Sequence, residues 1–226
     1  YPYGYPDFSD GLGIRWTWHE LLRLSPTGER WDSLGTFRIM QSEWDGERQR
    51  QLGFSPYPFH AVHGQSLYYG LGEAFEVERL GPNGDVELVI RKRQPRRPVT
   101  DELKEQQIAW ITQRMSGSVR ATPAMIERTR RQLEDRPWAD SLPAFSHGFV
   151  DKLGYLWVEN FRWTGIERAP VPGPALWSVF DSTGVWLGDV ETPPGLVIRT
   201  ATEERVFGFV SDSLDVMEIE VYELSR

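Results

Sequence analysis

The fold class is indicated most clearly by one stretch of the sequence, Phe75-Glu-Val-Glu-Arg-Leu-Gly-Pro-Asn-Gly-Asp-Val-Glu-Leu-Val-Ile90. Apolar and polar residues alternate on both sides of Gly81-Pro-Asn-Gly84. Alternation with a period of two around a short loop that ends in glycine is typical of a β-hairpin. Gly84 supplies, at the least steric cost, the positive φ that such a turn needs. The stretch therefore predicts two antiparallel strands joined by a tight turn.

Two further copies of this turn occur in the chain. They are Leu24-Ser-Pro-Thr-Gly28 and Phe180-Asp-Ser-Thr-Gly184, and each separates two alternating runs. A second hairpin pattern also repeats, because Phe149–Val158 resembles Val210–Ile219 and a weaker copy lies within Phe59–Tyr69. One unit therefore reads strand, turn, strand, loop, strand, glycine turn, strand. Four antiparallel strands in succession are typical of one blade of a β-propeller.

A helical hairpin is predicted at residues 99–137, between the second and third glycine turns. Thr100 is a good N-cap for a first helix, in which the apolar residues that share one face are Ile108, Ile111 and Met115. Ser116-Gly-Ser118 ends that helix. Thr122-Pro123 begins a second helix, with proline at the favoured first position, and Pro137 ends it. The hairpin accounts for most of the extra length between these two turns.

The composition restricts the classes of function. The chain has 226 residues with 25 Lys plus Arg, 33 Asp plus Glu and no cysteine, which gives a formal charge of −8. An acidic chain is not expected to be a general nucleic-acid binder. Without cysteine there is no disulfide, thiolate metal ligand or cysteine nucleophile. The apolar runs are too short to cross a bilayer as a helix.

The C-terminal part of the chain resembles a known group of propellers. The stretches that carry the likeness are Trp177–Gly188, Val206–Asp212 and Val216–Leu224. They are similar to the closing region of bacterial six-bladed β-propeller proteins of the NHL-like kind. Tyr68–Arg91, followed by a helical insertion, also resembles that group. The likeness covers most of residues 60–226 and lies in turn and strand positions, so it implies a fold rather than a chemistry.

The resemblance implies an all-β fold of six blades, which needs more than the 226 residues given. The repeats amount to one partial blade, two good blades and one unfinished blade. Residues 1–226 are therefore expected to form a single propeller region that is incomplete at its N-terminus, and a start at Tyr1 rather than methionine fits this interpretation. A complete four-bladed propeller is the alternative. Many proteins of the group are exported, so a periplasmic or extracellular location is expected.

The four histidines do not predict a metal site. His60 and His63 are close in sequence, but residues three apart on a strand point to opposite faces. His19 and His147 are distant from them. A zinc site needs three or four converging ligands, and no HExxH motif is present. The histidines are expected to be surface or turn residues.

Other possible catalytic or ligand-binding patterns also favour structural roles. Gly64-Gln-Ser-Leu-Tyr68 lacks the final glycine of a nucleophile elbow and fits the start of a strand. Asp151 and Asp212 lie at equivalent turns, where an aspartate bonds backbone amides; the alternative is that they line one mouth of a propeller and bind a cation or a sugar. Asp7-Phe-Ser-Asp-Gly11 is too short a match to a calcium loop.

Charged and aromatic residues are unevenly distributed. Arg91–Arg97 has five basic residues in seven and could hold a phosphate or an acidic partner, although the interrupting prolines favour a solvated linker. Glu218–Leu224 alternates charged and apolar residues, as an outer or edge strand does. The tryptophans near strands suggest packing between blades more than a carbohydrate platform; they are Trp16, Trp18, Trp31, Trp157, Trp163, Trp177 and Trp186.

The sequence predicts a non-enzymatic, exported propeller that acts as a binding or protein-interaction scaffold. No catalytic, cofactor-binding or metal-ligating residue is assigned, and no cofactor is expected. The partner is a protein or small molecule bound at a loop-bearing face, and residues 99–137 are a candidate contact. The alternative is a propeller hydrolase or lyase of the metal-dependent lactonase type with its site at the central channel, because a fold alone does not determine function.

Overall fold

The computed structural model describes residues 12–25, 27–29, 31–162, 173–211 and 216–224. It is mostly β, and its described strands form four antiparallel sheets in chain order. Sheets 1 and 2 contain the first seven strands: sheet 1 has β1 (Gly13–Leu24), β2 (Trp31–Trp44) and β3 (Gln49–Gln51), and sheet 2 has β4 (Phe59–His63), β5 (Ser66–Gly70), β6 (Glu76–Leu80) and β7 (Val86–Arg91). Sheet 3 has β8 (Phe145–Val150), β9 (Leu156–Asn160), β10 (Ala175–Phe180) and β11 (Trp186–Thr192). Sheet 4 has β12 (Val197–Ala201), β13 (Arg205–Ser211) and β14 (Met217–Glu223).

Sheets 2 and 3 have the predicted four-strand order, in which each strand pairs with the next one along the chain. The three predicted glycine turns are present, and each joins two neighbouring strands. Gly28, Gly84 and Gly184 have φ values of +76°, +86° and +87°. L-residues with a Cβ rarely adopt this region, so the conformation explains the glycine at each turn.

Sheets 1 and 4 differ from the predicted unit. β3 pairs with β2 beyond the first glycine hairpin, so in sheet 1 the hairpin is formed by the first two strands rather than by the last two. In sheet 4 the hairpin of β13 and β14 is preceded by β12, which pairs with β13. Thr202 closes the turn between β12 and β13, because its side chain accepts a hydrogen bond from the amide of Arg205 at 3.1 Å. A threonine turn of this kind carries no glycine signal in the sequence.

The four sheets pack face to face in chain order. Three clusters of buried side chains join sheet 1 to sheet 2, sheet 2 to sheet 3, and sheet 3 to sheet 4; they are centred on Phe37 with Tyr69, on Phe59 with Phe145, and on Trp177 with Ile198. Neighbouring residues of β9 serve two clusters, since Leu156 and Val158 face sheet 2 while Trp157 faces sheet 4. Both faces of sheets 2 and 3 are therefore buried, as period-two alternation allows.

Each glycine turn packs closely against the sheet before it. A Cβ on Gly84 would lie 2.5 Å from the carbonyl oxygen of Leu34 in β2. A Cβ on Gly184 would lie 3.1 Å from the side chain of Ile90 in β7. Leu34 and Ile90 stand at equivalent positions after their own glycine turns. The contact of a glycine turn with the sheet before it therefore occurs twice, once between sheets 1 and 2 and once between sheets 2 and 3.

A repeated arginine contact accompanies this packing. Arg23 of β1 donates a hydrogen bond to the carbonyl oxygen of Pro82 at 2.6 Å, and Arg79 of β6 donates one to the carbonyl oxygen of Ser182 at 2.9 Å. Both donors come directly before their own turn, and both acceptors are the third residue of the next turn. Sheets 1, 2 and 3 therefore follow one another through a repeated relation.

The helical hairpin lies between β7 and β8, as predicted. α1 (Asp101–Ser116) and α2 (Pro123–Glu134) are capped by Thr100 and Thr122, whose side chains accept amide hydrogen bonds at 3.3 Å. The two helices pack against each other. Neither described helix is long and apolar enough to cross a membrane.

Candidate functional site

A cavity of about 470 Å³ lies at one end of sheets 2 and 3. Its walls are the loop between β5 and β6 (residues 73–76), the segment from the end of β7 onward (residues 91–97) and the segment before β8 (residues 142–144). We call this cavity the basic cleft. The basic run Arg91–Arg97 forms one wall of the cleft and begins the long connection from β7 to β8.

Backbone hydrogen bonds hold the three walls of the basic cleft together. The amide of Lys92 donates to the carbonyl oxygen of Phe75 at 3.1 Å, and the amide of Leu142 donates to that of Arg97 at 2.8 Å. The amide of Ala144 donates to the carbonyl oxygen of Gly72 at 2.8 Å. Because these bonds are between main-chain atoms, the cleft keeps its shape independently of the charged side chains that line it.

Part of the charge in the basic cleft is already compensated. Arg91 pairs with Glu76 at 2.5 Å, and Lys92 pairs with Asp189 of β11 at 2.7 Å. Glu73 pairs with Arg38 of β2 at 2.9 Å. Both acidic side chains of the cleft are thus held by arginines.

Three guanidinium groups of the cleft have no carboxylate partner among the described residues. Arg93 and Arg96 are exposed and make no hydrogen bond or ion pair within the described part of the chain. Arg97 donates to the carbonyl oxygens of Pro143 at 3.3 Å and Phe161 at 2.8 Å. Burial lowers the pKa of Arg97, but arginine stays protonated at ordinary pH. The cleft therefore carries positive charge in a chain whose formal charge is −8.

The remaining lining combines apolar side chains with one buried acceptor. Leu142, Pro143 and Ala144 form one wall and Phe75 lies behind the loop. The side-chain oxygen of Gln94 is buried and has no hydrogen-bond partner in the described structure. A buried acceptor without a donor is costly, so this oxygen lowers the stability of the cleft wall.

A polar network that the sequence did not reveal lies beside the cleft. The ammonium group of Lys92 contacts the Ser178 hydroxyl at 2.8 Å, and that hydroxyl donates to the Asp189 carboxylate at 2.7 Å. Partial burial raises the pKa of Asp189, but the hydrogen bonds from Lys92 and Ser178 outweigh it, so the pKa lies below its ordinary value. Ser178 is fully buried. A serine beside a lysine suggests a nucleophile, but this hydroxyl has no access to a substrate and instead links sheets 2 and 3.

The histidines do not come together around a common point. His60 and His63 both lie on β4, three residues apart, so they point to opposite faces as predicted. Burial lowers the pKa of His60. Burial also lowers the pKa of His147 on β8, where Glu159 opposes the shift and Arg199 adds to it. Among the described residues, no three His, Asp or Glu side chains are arranged to hold a metal ion.

The structural interpretation of Ser66 and Asp151 is confirmed. Ser66 is the first residue of β5. Asp151 accepts hydrogen bonds from the amides of Leu153 and Tyr155 at 2.9 Å and from the Trp157 indole at 3.0 Å. Asp212 and residues 7–11 lie outside the described residues, so the predictions made for them have no structural counterpart here.

The tryptophans divide into two groups. Trp157 and Trp177 are buried between sheets 3 and 4, as predicted for packing. Those that are half-buried or exposed are Trp16, Trp18, Trp31 and Trp186. Trp163 lies outside the described residues. The exposed indole of Trp186 lies under the ammonium group of Lys92, 4.7 Å from its ring centre, which is a cation–π contact rather than a sugar platform.

The comparisons with known proteins add no family. No protein-family model matches the chain, and a search of curated proteins finds no significant relative.

Proposed function

We propose that the protein is a non-enzymatic binding scaffold of the β-propeller type, which holds an anionic ligand in the basic cleft. The observation that carries the proposal is the concentration of uncompensated guanidinium groups, those of Arg93, Arg96 and Arg97, in a cavity of about 470 Å³. Cavities of this size are typical of small-molecule sites. Arginine is the side chain best suited to phosphate and carboxylate groups because it donates two parallel hydrogen bonds.

The charged groups of the cleft favour binding over proton transfer. Arginine does not release its proton in proteins. The two glutamates, Glu73 and Glu76, are both engaged in ion pairs. A general acid or base needs a group that changes its charge near the working pH, and the cleft offers guanidinium groups instead.

The propeller assignment rests on the order of the sheets. Four antiparallel sheets stack face to face in chain order, and the turn contacts of Gly84 and Gly184 repeat from one sheet to the next. Together with the resemblance to six-bladed NHL-like proteins, this supports consecutive blades of one propeller. A crystal structure of the protein encoded by the full gene is expected to have sheets 1–4 side by side around one axis. Sheets that pair into a closed two-layer sandwich would contradict it.

Export is proposed on the resemblance to the NHL-like group and on the absence of cysteine. Antibody detection in fractionated cells of the natural host is expected to find the protein in the periplasm or the medium. Detection in the cytoplasmic fraction alone would contradict export and would leave the cleft proposal unaffected.

Calorimetric titration with inorganic phosphate at low ionic strength tests the binding proposal. The wild-type chain is expected to bind saturably, and Arg93→Ala/Arg96→Ala to bind about tenfold or more weakly, because two charge-assisted hydrogen bonds are lost. The matched control is Arg128→Ala/Arg130→Ala, which removes from α2 two exposed arginines that have no ion-pair partner among the described residues and changes the net charge equally. Absence of binding by the wild type, or equal weakening by the two double variants, would refute the proposal.

A further inference from the structure

We infer that the ligand of the basic cleft is an organic phosphate monoester whose phosphate lies between Arg93 and Arg96 and whose apolar body rests on the wall formed by Leu142 and Ala144. The inference rests on the proposed function and names the chemical class of its ligand. It is argued from charge, size and the composition of the walls.

The charge of the cleft favours a dianion. Once Arg91 is paired with Glu76, Lys92 with Asp189 and Glu73 with Arg38, the positive charges left are those of Arg93, Arg96 and Arg97. One guanidinium nitrogen of Arg97 already donates hydrogen bonds to the carbonyl oxygens of Pro143 and Phe161. Arg93 and Arg96 donate no hydrogen bond to any other described residue. A phosphate monoester carries close to two negative charges at neutral pH and three acceptor oxygens, whereas a carboxylate carries one charge and two oxygens.

The size and walls of the cleft favour an organic molecule over a free ion. About 470 Å³ lies in the range of cavities that hold whole small molecules. The wall that is hydrogen-bonded to Arg97 is apolar, with Leu142 and Ala144 half-buried around the buried Pro143. An aromatic or alkyl body placed there removes apolar surface from water on both partners, which strengthens binding.

The experiment compares three anions, two phosphates and one carboxylate, by calorimetry with the whole chain. Methyl phosphate tests the anion alone, phenyl phosphate adds an apolar body, and benzoate keeps the ring but has one charge. Phenyl phosphate is expected to bind about tenfold more tightly than methyl phosphate, because part of the ring is buried, and at least about tenfold more tightly than benzoate, because a second charge is paired. Arg93→Ala/Arg96→Ala is expected to weaken both phosphates equally.

A second variant separates the apolar wall from the charge. Leu142→Asn is expected to weaken the binding of phenyl phosphate more than that of methyl phosphate, and so to remove most of the advantage of the ring, because the side chain contributes apolar surface. Equal affinities for methyl and phenyl phosphate would overturn the inference and leave the proposed anion-binding function standing. Benzoate binding as tightly as phenyl phosphate would overturn the dianion assignment. Absence of binding for all three would overturn the proposed function itself.

Discussion

At the scale of single residues, the turn glycines serve two separate purposes. All three adopt positive φ, but only two of them also touch the sheet before them. A Cβ on Gly28 would meet nothing within 4 Å, whereas one on Gly84 would lie 2.5 Å from the carbonyl oxygen of Leu34. Substitutions at Gly28 and Gly84 therefore distinguish the free-energy cost of the backbone conformation from that of close packing.

Gly84→Ala is expected to destabilise the protein by about 3 kcal/mol, since the strain of positive φ adds to a clash with backbone atoms that cannot move freely. Gly28→Ala is expected to cost only about 1 kcal/mol, the backbone part alone. Urea denaturation followed by tryptophan fluorescence measures both free energies of unfolding. Equal losses in the two variants would contradict the packing contact between sheets 1 and 2.

Tyr69 makes the stability depend on alkaline pH. Burial raises its pKa from 10.0 to about 12, and its hydroxyl donates to the carbonyl oxygen of Arg38 at 2.7 Å. Between these two pH values the unfolded chain loses this proton and the folded chain keeps it, so this contribution to the free energy of unfolding falls as the pH rises.

Tyr69→Phe is therefore expected to be less stable than wild type at neutral pH and to lose less stability between pH 10 and 12. Urea unfolding at a series of alkaline pH values measures the two slopes. Titration of phenolate absorbance at 295 nm provides an independent check, because the variant should lack one tyrosine that ionises near pH 12. A variant with the wild-type slope would show that Tyr69 titrates normally.

At the scale of elements, the helical insertion is fixed at its base. The amide of Val99 donates to the carbonyl oxygen of Asp140 at 3.1 Å. The amide of Gly53 donates to the carbonyl oxygen of Pro137 at 2.8 Å, and the amide of Ala139 donates to the carbonyl oxygen of Gly53 at 3.0 Å. Arg136 donates to the carbonyl oxygen of Leu52 at 2.9 Å. The helices α1 and α2 lie beyond these contacts and pack against each other.

Replacement of residues 101–134 by a short Gly-Ser linker is expected to leave the sheets folded, because the contacts at the base of the insertion are retained. Phosphate affinity is expected to stay within about twofold of wild type, because the cleft walls end at residue 97 and resume at residue 142. Calorimetry and circular dichroism give the two readouts. A folded variant that no longer binds phosphate would assign the helices to the binding surface, as the sequence analysis anticipated for a partner.

Local features were predictable from the sequence, and long-range ones were not. The turn at Gly84 and the caps Thr100 and Thr122 depend on the backbone of a few neighbouring residues, and all three are confirmed. Lys92 and Asp189 are 97 positions apart, and no local pattern connects them. The solvated-linker interpretation of the basic run holds for Arg93 and Arg96 but is wrong for Lys92, which is held between two sheets. No local sequence pattern predicts the cleft, because three separate segments form it.

At the scale of the whole molecule, the stack of sheets has an apolar face at its far end. On β14, the residues that point away from sheet 3 are Met217, Ile219 and Val221, and all are exposed. β14 pairs with β13 alone among the described strands, so the predicted edge position is confirmed. Val158 in sheet 3 shows the opposite situation, with no exposed surface.

The same substitution at these two sites compares the inside of the stack with its end. Val158→Thr is expected to cost about 1–3 kcal/mol, because it buries a hydroxyl in an apolar cluster between sheets 2 and 3. Val221→Thr is expected to change the free energy of unfolding by no more than about 0.5 kcal/mol, because the side chain is half exposed. Urea denaturation measures both. A large loss for Val221→Thr would mean that the outer face of sheet 4 is covered in solution.

The connection between sheets 2 and 3 gives a prediction about acid stability. Hydrogen bonds from Lys92 and Ser178 keep the pKa of Asp189 below 3.8 against the opposing effect of burial. A depressed pKa stabilises the fold above the unfolded value, and this contribution is lost as the pH falls through the folded pKa. Without the ammonium group, the hydrogen bond and the charge of Lys92 no longer offset burial, so the pKa of Asp189 rises and the ionised carboxylate stabilises the fold less at neutral pH.

Lys92→Met retains the apolar stem and removes the ammonium group with its bonds to Asp189 and Ser178. It is expected to cost about 2 kcal/mol at pH 7, because a partly buried carboxylate loses its partner, and progressively less as the pH falls below 4 and Asp189 takes up a proton. Lys104→Met is the matched control, since Lys104 pairs with the exposed Asp101 of α1 at 2.7 Å, and a smaller loss is expected there. Urea unfolding between pH 3 and 7 measures both. A cost of Lys92→Met that does not change with pH would show that Lys92 acts through packing rather than through its bond to Asp189.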